Sequence, residues 1–417
     1  MRARLADRLP PAFAKPRFRL FAGGQAVSIV GSWIQQVALS WLVYRLSGSV
    51  FLLGLSGFLQ QVPHLVIAPV AGFVVDRLPR VKLLVAIYLA QAVLAAVLAV
   101  MALGGVTEIW PYLTVALLIG VSNACEAPAR QSLLGVIVEE RALLPSAIGF
   151  NSVLFNSGRL IGPSIAGVLL LLVSEGWCFA INAVSFAGIV AALLAMRLPD
   201  APASSAQRLG RDDVRATITR LLELPVAKYV LPLASTVALF ALPLQHLMPS
   251  VAVSFFGGAQ GTVGLLLSCQ GLGALIAAIV LSMQRGHWLQ LRLVRVAPFV
   301  VGLALLAFSQ SRTLWLSLPC LVVMGAATLS TSVSTNTLMQ QSVEDSWRGR
   351  VIGLYFMCFI GLAPIGNLLA GIIASRIGVG PALTVNGVLI LAVALAVSVR
   401  LQRTPGANEA LKRSLGA

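Results

Sequence analysis

The 417-residue sequence has few charged residues, and acidic residues are especially scarce. Charged side chains make up 11% of the chain, whereas soluble globular proteins carry about 25%. Only 14 residues are acidic, against 30 Lys and Arg, and 58% of the residues are hydrophobic. The mean hydropathy is +0.91. This composition excludes an ordinary water-soluble domain and predicts a polytopic membrane protein.

Cysteine and histidine are also scarce. The five cysteines lie in apolar segments, and none of them forms a C-x-x-C pair. We therefore predict neither a disulfide framework nor a metal site. The sequence also has no Gly-rich nucleotide-binding loop and no catalytic constellation, so we predict no cofactor and no enzymatic activity.

Apolar runs of about 20 residues, the length needed to cross a bilayer, recur along the chain. The first six are predicted at 18–47, 50–75, 81–104, 109–130, 143–173 and 176–197. The second six are predicted at 227–256, 260–283, 288–309, 312–340, 347–375 and 379–401. The predicted fold is all-α and integral to the membrane, with twelve transmembrane helices in two pseudo-symmetric six-helix bundles.

Three domain segments follow from these spans. Residues 1–197 are predicted to form the N-terminal bundle and residues 227–417 the C-terminal bundle. The segment 198–226 between them is polar and is predicted to be a cytoplasmic linker. Its Asp212 and Asp213 precede apolar residues at helical spacing, which predicts a short amphipathic helix at the membrane surface, or a solvated linker helix.

A short segment recurs about half a chain later. Residues 161–167, IGPSIAG, align with residues 365–371, IGNLLAG, and the same shift pairs Asn182 with Asn386. Two similar halves inside a membrane favour a transporter, because two related bundles can rock around a site between them.

Lys and Arg are distributed unevenly among the segments that connect the spans. The tails, the even-numbered loops and the linker hold 26 of the 30, the odd-numbered loops hold three, and Arg159 lies inside a span. The positive-inside bias therefore predicts that both termini are cytoplasmic. The basic residues then face the anionic inner leaflet, so we predict no nucleic-acid partner.

The loop after the second span has the sequence GFVVDRLPR, from Gly72 to Arg80. It resembles the G-x-x-x-D-R-x-G-R signature of the major facilitator superfamily, with Pro79 where the family usually has Gly. The resemblance implies that Gly72, Asp76, Arg77 and Arg80 form a latch between the two halves on the cytoplasmic side. The alternative is a basic loop that only sets the topology.

The fifth span carries GRLIGPSIAG, from Gly158 to Gly167. It resembles the G-x-x-x-G-P-x-x-G-G signature of the drug:proton antiporters in that superfamily, with Ala166 replacing one Gly. Gly158, Gly162 and Ala166 recur every four residues and give a smooth helix face, and Pro163 allows the helix to bend. The resemblance implies a gating role for this helix. The alternative is a tightly packed helix pair without such a role.

The stretches APARQ at 127–131 and CFAINA at 178–183, with Asn151 and Asn156, narrow the resemblance. They are similar to the branch that contains the bacterial enterobactin exporter and the macrolide-efflux proteins. The resemblance implies a secondary transporter of the bacterial inner membrane that exports a small amphipathic molecule in exchange for protons by alternating access. We expect a monomer whose partners are a small-molecule substrate, protons and the lipid bilayer. The alternatives are a proton-coupled importer and a non-transporting membrane scaffold or sensor.

Ionisable residues inside a membrane are costly, by roughly 2.5–3.5 kcal/mol each, and are candidates for function. Glu126 is either a proton carrier or a structural partner of Arg80 or Arg130. Arg159 either binds an anionic substrate or caps carbonyls and polar groups such as Asn156.

Other polar residues in the spans are weaker candidates for substrate or proton contacts. For the two histidines a packing role is the alternative. In the tenth span, eight of the ten residues 328–337 are polar, which predicts a wet surface unless they bond to their own helix. The candidates are Gln35, Gln36, His64, Gln245, His246 and Asn336.

The predicted topology can be tested by thiol labelling in a variant that lacks the native cysteines. Single cysteines at Ser204 and Asn408 should resist impermeant thiol reagents in intact cells, because both positions are predicted to be cytoplasmic. A cysteine at Thr107, in a predicted outer loop, should react and serves as the control. Labelling of either of the first two from outside the cell would overturn the orientation.

Overall fold

The computed structural model describes residues 11–75, 78–198, 224–258, 260–283, 287–343 and 361–403, together with the single residues 219, 351, 355 and 359. The described elements are all helices. The prediction of an all-α membrane fold is therefore confirmed.

The first half contains six long helices. Short 3-10 helices at Pro11–Ala14 and Arg141–Leu143 precede the first and the fifth. The long helices are α1 (Pro16–Ser47), α2 (Val50–Val75), α3 (Arg80–Leu103), α4 (Ile109–Val138), α5 (Leu144–Leu172) and α6 (Glu175–Ala195).

The predicted end of the fourth span at residue 130 is wrong. Helix α4 continues through Pro128 to Val138, and its last turns bury Leu133, Leu134 and Ile137. This apolar contact favours continuation of the helix, although Pro128 removes one backbone hydrogen bond. Arg130, the last residue of the predicted span, therefore lies well inside α4.

The second half has the same organisation, with one span divided in two. Its helices are α7 (Pro225–Phe240), α8 (Leu244–Phe256), α9 (Gln260–Met283), α10 (His287–Gln310), α11 (Leu314–Gln341), α12 (Leu362–Ile377) and α13 (Val379–Arg403). Helices α7 and α8 together form the predicted seventh span. The chain turns between them at Pro243, which has no N–H to continue the helical ladder.

The structure supports eleven of the twelve predicted spans in full. Eleven segments of the described chain are long and apolar enough to cross a membrane, and α12 is the shorter described part of the predicted eleventh span. Most of the predicted linker, including its amphipathic helix, lies outside the described residues.

The hydrophobic cores show how the two halves are joined. We call the end of the helices that carries the connections 47–50, 103–109 and 172–175 the distal end, and the end near the chain termini the proximal end. At the distal end, one continuous core contains residues of both halves. At the proximal end, each half has its own separate core. The described halves therefore join at the distal end.

Glycines make this junction possible. Across the halves, α2 packs on α12 and α5 packs on α9. A Cβ atom added to Gly167 would lie 2.9 Å from the Cα of Gly264, and one added to Gly54 would lie 2.7 Å from the Cα of Gly371. Gly167 and Gly371 are equivalent in the sequence repeat, so each repeat supplies a glycine where a helix of the other half crosses. We call these two contacts the glycine seams.

Ion pairs tie α1 to its own half at both ends. At the proximal end, Lys15 Nζ lies 2.6 Å from Glu140 Oε1, and Arg17 pairs with Glu139. The hydrogen bond to Glu140 raises the pKa of Lys15 above its ordinary value. At the distal end, Arg45 Nε donates to Glu175 Oε1 at 2.7 Å. These contacts fix α1 against α4 and α6 and so position the polar residues that α1 carries.

The glycine seams can be tested by adding a side chain. In Gly264→Leu, the new Cβ meets the backbone of Gly167 and the carbonyl oxygen of Pro163, the latter at 2.7 Å. Overpacking of this kind costs about 1–3 kcal/mol, so the midpoint of thermal unfolding in detergent should fall. In the control Gly188→Leu, an added Cβ has no atom within 4 Å, and the midpoint should change little. Equal midpoints for the two variants would show that the seam is not tightly closed.

Candidate functional site

A cavity of about 250 Å³ lies in the first half, between α1, α2, α4 and α5. Helix α1 lines it with Gln25, Ser28, Ser32 and Gln36. These residues are spaced by three or four positions and so share one face of the helix. Trp33 adds an aromatic surface on the same side. The cavity thus combines polar and apolar walls inside the membrane-spanning part of the chain.

Glu126 of α4 lines this cavity at the centre of a hydrogen-bond network. The Tyr88 hydroxyl lies 3.2 Å from Glu126 Oε1 and 2.9 Å from Gln25 Oε1. Gln91 Nε2 lies 3.3 Å from Glu126 Oε2 and 2.8 Å from Asn123 Oδ1. The Tyr88 hydroxyl has one proton, which it donates to either acceptor, so these hydrogen bonds can rearrange.

Arg130 supplies the counter-charge of Glu126. Its Nε lies 3.2 Å from Glu126 Oε1, one helical turn away. Two contacts with α5 hold the rest of its guanidinium: Nη1 donates to Asn151 Oδ1 at 3.0 Å, and Cζ lies 4.3 Å from the centroid of the Phe155 ring. Of the two partners predicted for Glu126, the structure therefore places Arg130 beside it. Arg80 instead donates to the carbonyl of Ser132 at 3.4 Å.

The glycines of the fifth span make two different contacts. An added Cβ on Gly158 would lie 3.4 Å from Trp33 Cδ1, and one on Gly162 would lie 3.2 Å from Trp33 Cγ. These two therefore pack α5 on α1 within the first half, whereas Gly167 packs on Gly264 across the halves. Helix α5 runs unbroken through Pro163.

Arg159 lies near the middle of α5, one turn beyond Phe155. Its Nε is buried and has no hydrogen-bond partner among the residues that the structure describes. Its backbone carbonyl would be 2.8 Å from a Cβ on Gly271 of α9. The side chain of Asn156, its predicted neighbour, lies outside the described residues.

The two candidate histidines lie in different places. His64 lines the cavity, and its Nδ1 is buried without a hydrogen-bond partner in the described part of the chain. His246 of α8 lies at the junction of the halves, where its Nε2 is 3.2 Å from Gln61 Nε2 of α2. Its ring packs against Gly57, so that an added Cβ there would lie 2.8 Å from Cγ of the ring.

The candidate glutamine and asparagine side chains also lie in different surroundings. Gln36 lines the cavity, whereas Gln35 is buried and accepts a hydrogen bond of 2.9 Å from Asn182 of α6. Gln245 is half-buried in α8. Asn336 accepts a hydrogen bond of 2.9 Å from Gln340, one turn along α11.

Much of the predicted wet surface of the tenth span is packed. Thr331, Ser334 and Thr335 are fully buried in α11. Thr331 donates to the carbonyl of Ala327 at 2.9 Å, and Thr335 donates to that of Thr331 at 2.7 Å. The two threonine hydroxyls therefore bond to their own helix, as the alternative interpretation of the cluster predicted, whereas Ser334 Oγ is buried without a hydrogen-bond partner in the described part of the chain.

The predicted cytoplasmic latch falls largely outside the described structure. Gly72 lies in the last turn of α2, and Arg80 begins α3. Asp76 and Arg77 lie outside the described residues, so the latch stays a prediction.

Four residues of the Glu126 network were not predicted from the sequence, namely Gln25, Tyr88, Gln91 and Asn123. Their spacing in the sequence could have indicated them. Tyr88 and Gln91 are three residues apart, and Asn123 precedes Glu126 by three, so each pair shares one face of a helix. In the described part of the chain, no group of three or more His, Cys, Asp and Glu residues could hold a metal ion.

Comparison with protein families gives a match over nearly the whole chain. The profile of a family described as transmembrane secretion effector matches residues 9–414. Macrolide efflux protein A of Streptococcus pyogenes is 25% identical over 388 residues, which cover 91% of this chain and 95% of that protein. The staphyloferrin A transporter of Staphylococcus aureus is 23% identical over 379 residues, which cover 90% of this chain and 94% of that protein.

A solved structure gives the same fold. A bacterial homologue of the human lysosomal transporter Spinster, in an inward-facing and unoccupied conformation, superimposes with a TM-score of 0.69. It is 12% identical in sequence, and the match covers 96% of this chain and 98% of that one. The predicted resemblance to the major facilitator superfamily and to its macrolide-efflux branch is confirmed.

The Glu126 network can be tested with two tyrosine substitutions. Tyr88→Phe removes the donor that Gln25 Oε1 uses, and Gln25 is only 2% exposed. An unsatisfied buried acceptor costs about 1–3 kcal/mol. The control Tyr112→Phe removes a 3.0 Å hydrogen bond to the carbonyl of Val106 in a distal connection. Tyr88→Phe should lower the thermal unfolding midpoint more than the control does, and the reverse order would show that the network contributes little.

Proposed function

The chain belongs to the transmembrane secretion effector family of the major facilitator superfamily, and we propose that it exports a small amphipathic molecule in exchange for protons by alternating access. Members of this superfamily are membrane transporters and not enzymes. Export and proton coupling are the parts that we propose. The relative named as a macrolide efflux protein supports the export direction.

The observation that carries the proposal is the placement of Glu126. Among the described residues, the other acidic side chains, Glu108, Glu139, Glu140 and Glu175, lie at helix ends. Glu126 is inside α4, lines a cavity and has a guanidinium as its partner. A carboxyl group in this position can hold or release a proton, and the cost of its charge is reduced by Arg130.

The surroundings of Arg130 make a change in the charge of Glu126 tolerable. When Glu126 is ionised, Arg130 neutralises it. When Glu126 is protonated, Arg130 keeps its hydrogen bond to Asn151 and its stacking on Phe155. Neither protonation state leaves the guanidinium without contacts, so the proton can be exchanged without disruption of the site.

The arrangement of the cores supports alternating access. The described halves share a core at the distal end and have separate cores at the proximal end. With the termini in the cytoplasm, as the loop charges predict, this state opens toward the cytoplasm and can load a molecule for export. Exposure to the other side then requires the glycine seams to part and the proximal end, with the predicted latch, to close.

The walls of the cavity favour an amphipathic substrate. Trp33 and Phe155 offer aromatic faces, and the Gln and Ser side chains of α1 offer hydrogen bonds. We propose that the protein works as a monomer in the bacterial inner membrane, with bundles at 1–197 and 227–417 and a cytoplasmic linker at 198–226.

Proton coupling can be tested with Glu126→Gln, which mimics the protonated side chain. In proteoliposomes, a pH gradient should no longer drive accumulation of a substrate identified from the susceptibility of cells that lack or overexpress the protein. Downhill exchange should survive, because the cavity remains. The control Glu175→Gln removes a carboxylate that pairs with Arg45 at the distal end, and it should keep the coupling. If Glu126→Gln still concentrates substrate with protons, the carrier is another residue, and His64 or Asp76 is the next candidate.

A further inference from the structure

Arg159 places a positive charge near the middle of a membrane-spanning helix. A guanidinium remains protonated in proteins, and a charge at this depth requires compensation. The described acidic residues offer none: Glu126 is paired with Arg130, and Glu175 is paired with Arg45. Asn156 lies three positions before Arg159, but an amide cannot neutralise a charge.

The terminal nitrogens of Arg159 are open to a ligand. Of its three guanidinium nitrogens, only Nε is both sealed from solvent and without a hydrogen-bond partner. Nη1 and Nη2 make no hydrogen bond to a described residue, and the residue as a whole is half-buried. Because Nε is buried, the edge of the guanidinium that carries Nη1 and Nη2 is the part that can bind two oxygens of an anionic group.

Arg159 also lies beside residues that line the cavity or contact its lining. Phe155, one turn earlier on α5, lines the cavity. The flanking Gly158 and Gly162 contact Trp33, which lines the cavity too. On its other side, the backbone of Arg159 packs on Gly271 of α9, in the second half of the molecule. The residue is therefore at the boundary between the cavity and the junction of the halves.

We propose that Arg159 binds an anionic group of the exported molecule, which makes the substrate an amphipathic organic anion with a carboxylate or an equivalent group. This inference rests on the proposed export function. A cationic molecule would be repelled by Arg159, and a neutral one would leave its charge uncompensated. The anionic group binds at Arg159 and the proton at Glu126, so the two do not compete for one residue. The exchange is therefore coupled by the alternating access of the cavity and not by displacement of one ligand by the other.

The proposal has an electrical consequence. Export of a monovalent organic cation in exchange for one proton moves no net charge across the membrane. Export of an anion in exchange for a proton moves net positive charge inward, because the exit of the anion and the entry of the proton both contribute. An inside-negative membrane potential would then assist export in addition to the pH gradient.

Binding to the purified full-length protein, in nanodiscs of phosphatidylcholine, tests the proposal. The probes are pyrenebutyrate and pyrenebutyramide, which share one apolar body and differ in charge, and empty nanodiscs give the background. The wild-type protein should bind the carboxylate about 10-fold or more tightly than the amide, because charge-assisted hydrogen bonds are the stronger ones. Arg159→Gln should lose this preference and keep its affinity for the amide.

Two further variants control for charge and folding. Arg376→Gln removes an exposed Arg at the end of α12 and should keep the preference. Arg159→Lys keeps the charge and should retain a weaker preference, since an ammonium lacks the two-pronged geometry. This variant, with the wild type, decides the question if Arg159→Gln does not fold.

The outcomes separate this inference from the proposed function. No gradient is applied, so the result does not depend on proton coupling. The inference is overturned if the wild type binds the carboxylate no more tightly than the amide or binds neither. It is also overturned if folded Arg159→Gln keeps the preference, which would make Arg159 a structural residue. Loss of coupling in Glu126→Gln with the anion preference intact would support both proposals.

Discussion

The two halves of this transporter are held together where glycines let helix backbones from opposite halves touch. Gly167 meets Gly264 and Gly54 meets Gly371 at the distal end, where one hydrophobic core spans both halves. Contacts between backbones are short-range and have no flexible side chain to absorb a displacement, so such a junction is either closed or parted. A junction of this kind suits a molecule that exposes its cavity to one side at a time.

A second constraint shapes the wall of the cavity, because a charged side chain inside a membrane must be compensated by its neighbours. Glu126 is surrounded by Tyr88, Gln91 and Arg130, which together satisfy both of its oxygens. Arg130 in turn reaches Asn151 and Phe155 on α5. The helix that carries the acid is thereby connected to the helix that forms one of the glycine seams.

Helix α5 therefore brings together the parts of the molecule on which our proposals rest. Its proximal third contacts Arg130, its middle presents Arg159 beside the cavity, and its distal third forms the seam with α9. Gly158 and Gly162 keep it against Trp33 of α1. Under the proposed function, the substrate contact and the gate lie on α5, and the proton site on α4 contacts α5 through Arg130. A shift of α5 would therefore displace the surroundings of all three.

The sequence by itself determined the fold class and most of the bounds of the spans, because burial in lipid demands long apolar runs and complete backbone hydrogen bonding. The motifs also determined the superfamily, and the repeat located Gly167 and Gly371. Only the tertiary structure decided which polar residues meet. Gln35 and Gln36 are adjacent in sequence, yet one packs on Asn182 and the other lines the cavity, because neighbouring residues on a helix point about 100° apart. Likewise, only the packing of α3, α4 and α5 brought Tyr88 to Glu126 and Asn151 to Arg130, since contacts between helices depend on how the helices cross and not on their separate sequences.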